Sequence, residues 1–183
     1  MVKIKKMFLL LSLACLPMIG YCESKDEQAA VQLVHDYYRF VDSYADMPNA
    51  EFDASRKFDH PDAAYNPLGG DSETYEIVDE DYKIVKVVTT DKKTGDVEVT
   101  VRFKTYGYLD LFKDGFEDKK GSEDVTFVCS RSKGKYLVMD LDHWHIRFYG
   151  SALKYLKEKT KEPKFRWKTE LKGLRQAHKG DGH

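Results

Sequence analysis

Cysteine is scarce: three in 183 residues, at positions 15, 22 and 129, and the first two lie in an N-terminal segment of targeting character. With that segment removed only Cys129 is left. No intramolecular disulfide can then form even in an oxidising compartment, and the fold has to stand on its apolar core. Also missing is a run of about 20 apolar residues, the length needed to cross the hydrocarbon of a bilayer. The longest candidate, Phe8 to Ile19, is short and broken by Pro17. The chain has no internal repeat, no glycine-rich phosphate loop, no GxSxG elbow and no HExxH helix, so the commonest signatures of nucleotide-binding, hydrolase and zinc-protease chemistry are lacking.

What is present begins at the N-terminus. Lys3, Lys5 and Lys6 precede the apolar run FLLLSLACLPMI, and Gly20 and Cys22 place small residues at −3 and −1 before Glu23. This predicts a signal peptide over 1–22 and a periplasmic or secreted protein. A lipoprotein tethered through Cys22 is the alternative, weakened by Tyr21 where a small residue should stand. The remainder has the size of one domain, and 42% hydrophobic with 33% charged residues is ordinary for a soluble globular chain. Aromatics make up 13%, with 12 Tyr, which suits cavity walls and contact surfaces as well as strands. Cys129, sharing parity with Val125 and Phe127, reads as a buried thiol.

Ser24 to Glu27 match a capping box, and Ala30, Leu33, Val34, Tyr37, Val41 and Tyr44 recur at helical spacing behind it. The pattern predicts a long amphipathic helix from Asp26 to Met47, ended by Pro48. An irregular segment follows from Asn49 to Thr74, with a short helical turn at Ala54 to Phe58. Strand signals then dominate: Tyr75 to Thr90, a hairpin loop at Asp91 to Gly95, and Asp96 to Phe112, in which Val97, Val99, Val101 and Phe103 point one way. Lys113 to Asp124 reads as a charged connection, Val125 to Arg131 as a strand, Lys133-Gly134 as a turn and Lys135 to Phe148 as a last strand. Helix first and hairpins after predict an α+β fold, the helix packed on a curved antiparallel sheet of four or more strands. Helical patterns return at Ser151 to Lys157 and Thr169 to Ala177.

The segment MDLDHWHIRF, Met139 to Phe148, concentrates polar residues of chemical interest. On a regular strand His143 and His145 continue the row of Leu137, Met139 and Leu141, expected to face the core, whereas Asp140, Asp142 and Trp144 face away. An HxH pair can hold a metal ion only with further ligands, His35 or His60 being conceivable, and it can act as a general base only with a carboxylate from elsewhere. His143 and His145 are therefore the candidates for catalysis or metal binding, set against the simpler reading of a strand end. No cofactor and no resident metal are expected.

From Lys154 to His183 ten Lys or Arg stand against four Asp or Glu, a balance of +6, so the stretch between the signal peptide and this tail sits at −10. A split of this kind fits a tail folded on its own acidic domain, or one drawn to an anionic membrane surface. Nucleic acid is not an expected partner, since the body is acidic and the tail holds no recognisable reading module.

Taken together, VQLVHDYYRFVD on the first helix, VEVTVRFKTYGYLDLF on a middle strand and YLVMDLDHWHIRF on the last resemble the nuclear transport factor 2-like superfamily, over roughly Ser24 to Tyr149. The resemblance implies a cone-shaped α+β domain over 23–149, with 150–183 as a basic helical extension that departs from the superfamily's usual ending. It implies a pocket between helix and sheet lined by Tyr37, Tyr44, Phe103, Met139 and Trp144. It also implies a non-catalytic role, holding a small apolar ligand or an exported protein partner. A lyase or isomerase using a His base, or an immunity or inhibitor protein, is the alternative.

Overall fold

The computed structural model describes residues 24–43, 47–63, 74–111, 116–141, 145–161 and 166–180. Tyr44, His143 and Trp144 lie outside these. The chain runs α1 (Lys25–Ser43), α2 (Met47–Phe58), β1 (Thr74–Val78), β2 (Lys83–Asp91), β3 (Asp96–Asp110), β4 (Phe116–Ser132), β5 (Lys135–Leu141), β6 (Ile146–Phe148), α3 (Tyr149–Lys159) and α4 (Arg166–Lys179). It is an α+β fold with a mixed sheet of six strands in the order β5-β4-β3-β1-β6, with β2 also paired to β3.

The capping box at the start of α1 closes in both directions. The Glu27 amide donates to Ser24 Oγ at 3.2 Å and the Ser24 amide donates to Glu27 Oε2 at 2.8 Å. That backbone hydrogen bond holds the Glu27 carboxyl below its ordinary range. α1 buries Ala30, Leu33, Val34, Tyr37, Tyr38 and Val41. Pro48 was expected to end a helix but falls in the first turn of α2, where a missing N–H costs nothing. The segment predicted to be irregular therefore holds a 12-residue helix.

β1 and β2 lie end to end along one side of β3, and β4 runs along the other. The charged stretch predicted to be a connection is the first half of β4. Its residues 117–122 are exposed on both faces, so alternation is absent, and the backbone ladder to β3 fixes them as strand. Lys133 and Gly134, both at positive φ (50° and 79°), make the tight turn into β5.

The predicted final strand divides in two. β5 pairs with β4 at one edge, and β6 pairs with β1 at the opposite edge, in parallel. The sheet is thus mixed and not antiparallel throughout. Its shape follows from covalent reach. Leu141 stands opposite Phe127 and then Val99; Ile146 stands opposite Glu76 and then Tyr108. In a flat sheet those registers would separate Leu141 from Ile146 by about 35 Å, nine residues along β3 and four strand spacings across. Five peptide links reach at most about 18 Å. The sheet must therefore curl until its two edges approach each other. Consistent with this, Val138 and Leu141 from one edge and Ile146 and Phe148 from the other share one core with α1.

That first core fills the concave side; a second lies on the other face, where Tyr75, Ile77, Tyr106, Leu109 and Leu111 meet α3 and α4. Gly107 makes the change of side possible. The β3 register shifts between Thr105 and Gly107, so odd residues up to Phe103 face the first core while Leu109 and Leu111 face the second. At φ +151° a Cβ on Gly107 would stand 2.0 Å from the Glu117 carbonyl oxygen, which admits glycine alone. A second shift, opposite Val128 and Cys129, alters β5. Tyr136 and Val138 face the core there, Leu137 and Met139 are only partly buried, and Leu141 turns back inward. The predicted core row of Leu137, Met139 and Leu141 is thereby broken by a bulge at Met139.

Candidate functional site

Of the residues expected to line a pocket, Tyr37 and Phe103 are 5% and 1% exposed and embedded in rings. Tyr37 meets Tyr38, Phe58 and Phe127 at centroid distances of 5.0, 6.0 and 5.7 Å, and Phe103 meets Tyr38, Tyr82 and Phe148 at 5.2, 5.6 and 6.4 Å. Such tilted and edge-on contacts are packing geometry, and these two rings are occupied by one another's neighbours. Met139 is partly exposed on a bulge. The structure brings Tyr37 and Phe103 into one packed core, both against Tyr38, and leaves Met139 only partly buried.

The histidines that are described have defined partners. His60, 8% exposed, accepts the Asp62 amide at Nδ1 (3.1 Å), which leaves Nε2 to donate to the Arg131 carbonyl at 3.2 Å. His35 Nδ1 lies 2.6 Å from the Tyr82 hydroxyl. His145 takes a positive φ of 72° just before β6, and its carbonyl accepts the Glu76 amide at 2.9 Å. The left-handed turn serves the change of edge, aiming the chain into its pairing with β1. Among the described residues, no group of three or more His, Cys, Asp or Glu side chains is placed to hold a metal ion.

Two carboxylates, Glu76 buried and Asp79 part-buried, are hydrogen-bonded within the fold. Glu76, 2% exposed, accepts the Thr105 hydroxyl at 2.6 Å. Asp79 accepts the Tyr106 hydroxyl at 2.6 Å. Burial pushes the Asp79 carboxyl up, but Tyr106, the Asp81 amide and the charges of Lys104 and His178 outweigh it, and the net shift is downward. Asp79 is therefore held as a carboxylate, the wrong form for a general acid. Cys129 is buried and its thiol is pushed up to about 12 by desolvation, which rules it out as a nucleophile near neutrality.

A different surface stands out. Leu171, Leu174 and Ala177 of α4 are buried in the second core. Between the end of α3 and the exposed side of α4 runs a cleft of about 490 Å³ lined by Thr160, Lys168, Leu171, Lys172, Arg175, Gln176 and Lys179. The four cations recur at steps of four, three and four residues, which sets them in one row on a helix. The tail's net charge was legible in the sequence; the row was missed, although its spacing was open to reading. Among the described residues no helix is long and apolar enough to cross a membrane. In comparison with known families, curated proteins and solved structures, the chain matches none of them.

Proposed function

We propose that this chain is an exported, non-catalytic interaction domain that engages an anionic partner through the cationic cleft along α4. In this reading 1–22 is a signal peptide, 23–149 a nuclear transport factor 2-like domain whose amphipathic N-terminal helix supports the sheet, and 150–183 a basic extension that presents the contact face. The carrying observation is the row of Lys168, Lys172, Arg175 and Lys179 along one concave surface. Like charges gathered in a cleft raise the local concentration of an oppositely charged partner and speed its capture. A protein partner is favoured over a small apolar ligand because Tyr37 and Phe103 are committed to ring packing.

The test is retention on immobilised dextran sulfate. The unmodified protein should be held at low salt and released as salt rises. The double variant Lys172→Glu, Arg175→Glu should elute much earlier while keeping its melting temperature, since both side chains are exposed. Identical elution of the two proteins would overturn the assignment of the cleft. Mass spectrometry of the secreted protein should show a mature chain beginning at Glu23.

A further inference from the structure

We infer that the α4 cleft takes an extended acidic polypeptide segment, in which carboxylates on alternate residues meet the cationic row; this rests on the interaction-domain reading above. Residues 168 to 179 cover about 16 Å of helix axis, with neighbouring cations about 4.5 to 6 Å apart along it. Alternate side chains of an extended peptide repeat at about 6.6 Å, and about six residues of it, three of them facing the cleft, cover the row.

The neutral lining separates a peptide from other polyanions. Gln176 both donates and accepts, so it can pair with a peptide amide and carbonyl, whereas a phosphate polymer supplies no donor in return. Thr160 donates its hydroxyl to the Lys157 carbonyl at 2.7 Å and keeps its oxygen as an acceptor for a peptide N–H. Three of the four cations are lysines, point charges that suit single carboxylates better than a bidentate phosphate fork. A lipid surface fits less well. Binding in a bilayer interface needs an apolar helix face to insert, and Leu171, Leu174 and Ala177 are already buried against the sheet.

Fluorescence anisotropy with a labelled twelve-residue peptide of alternating Glu and Thr tests this, with a Gln-Thr peptide and vesicles of phosphatidylglycerol and phosphatidylcholine as the other probes. The Glu-Thr peptide should bind and the Gln-Thr peptide should not. Lys172→Glu with Arg175→Glu should weaken binding about tenfold or more, and Lys172→Gln with Arg175→Gln should act in the same direction but less. Gln176→Ala should weaken the peptide about threefold. Vesicle binding that the double reversal abolishes, with no peptide binding, would overturn the acidic-segment inference while leaving the cleft as the contact face. Peptide binding that is indifferent to every substitution would overturn it as well. Silence of both probes together with unretarded elution from dextran sulfate would remove the underlying proposal too.

Discussion

The layer around α1 and the layer beneath α3 and α4 share strands β1 and β3, yet they are composed differently. The first is closed by rings: Tyr37, Tyr38, Phe58, Phe103, Phe127 and Phe148 are all buried in it. The second also holds rings, Tyr75, Tyr106 and Tyr155, but its aliphatic part is Leu109, Leu111, Leu156, Leu171 and Leu174, where that of the first is largely valine. On the helix and strand that flank it, Glu170 and Arg147 are 0% and 1% exposed, and the Arg147 guanidinium lies 5.0 Å from the Tyr75 ring centre. The outer side of the second layer carries the cationic row and the first layer does not. The difference teaches a division of labour, in which one face of the sheet supplies most of the cohesion and the other holds a charged helix at the surface.

Phe103→Ala tests that division most severely. Removing a fully buried ring at the centre of the first layer should lower stability by about 3 to 5 kcal/mol in urea unfolding. A loss below about 1 kcal/mol would mean that the first layer is not the cohesive one. Gly107→Ala strikes the point where the two layers exchange sides. The added methyl meets a backbone carbonyl that has no room to move, in a conformation side chains rarely adopt, and about 2 to 3 kcal/mol should be lost. Hydrogen exchange should rise at β3 residues beyond Thr105 before it rises at α1.

Cys129 provides a milder probe of the first layer. Its thiol is raised from 9.0 to about 12, so above 9.0 the unfolded chain gives up a proton that the folded chain keeps. Stability should therefore be unaffected at neutral pH, fall as pH rises past 9.0, and stop falling from this source near 12. Cys129→Ser should flatten that slope, and a thiol reagent should label the native protein only as fast as it opens. The smallest effect is expected at Gly121, where a Cβ meets nothing within 4 Å: Gly121→Ala should change stability by less than about 0.5 kcal/mol. A large effect there would show that the exposed half of β4 is as constrained as Gly107.

The sequence was readable wherever one physical rule acted alone. Alternation placed Val97, Val99, Val101 and Phe103 in the core, and the Ser24-Glu27 pair marked a helix start that the hydrogen bonds reproduce. It was unreadable where a local pattern was overruled at a distance. The first half of β4 has no apolar face, because its order comes from the ladder to β3 and from pairs such as Arg102 with Asp124, at 2.6 and 2.7 Å. The bulges at Gly107 and Met139 each shift parity, so a row extrapolated past them lands on the wrong side. The division between β5 and β6 turns on a left-handed residue, His145, that no periodicity announces. As for the cleft, the tail's positive charge was plain, but its concavity depends on where α3 ends and α4 begins.

The curl that brings the edges of the sheet together also sets an order of assembly. α1 is bound by side chains far along the chain: Asp26 accepts from Arg131, 105 residues away, and Asp42 accepts from Ser151, 109 residues away. Loops of that size must close before their contacts return anything, which makes for slow folding. During synthesis the first helix has no finished seat until β6 has left the ribosome, so the nascent chain stays uncommitted for most of its length.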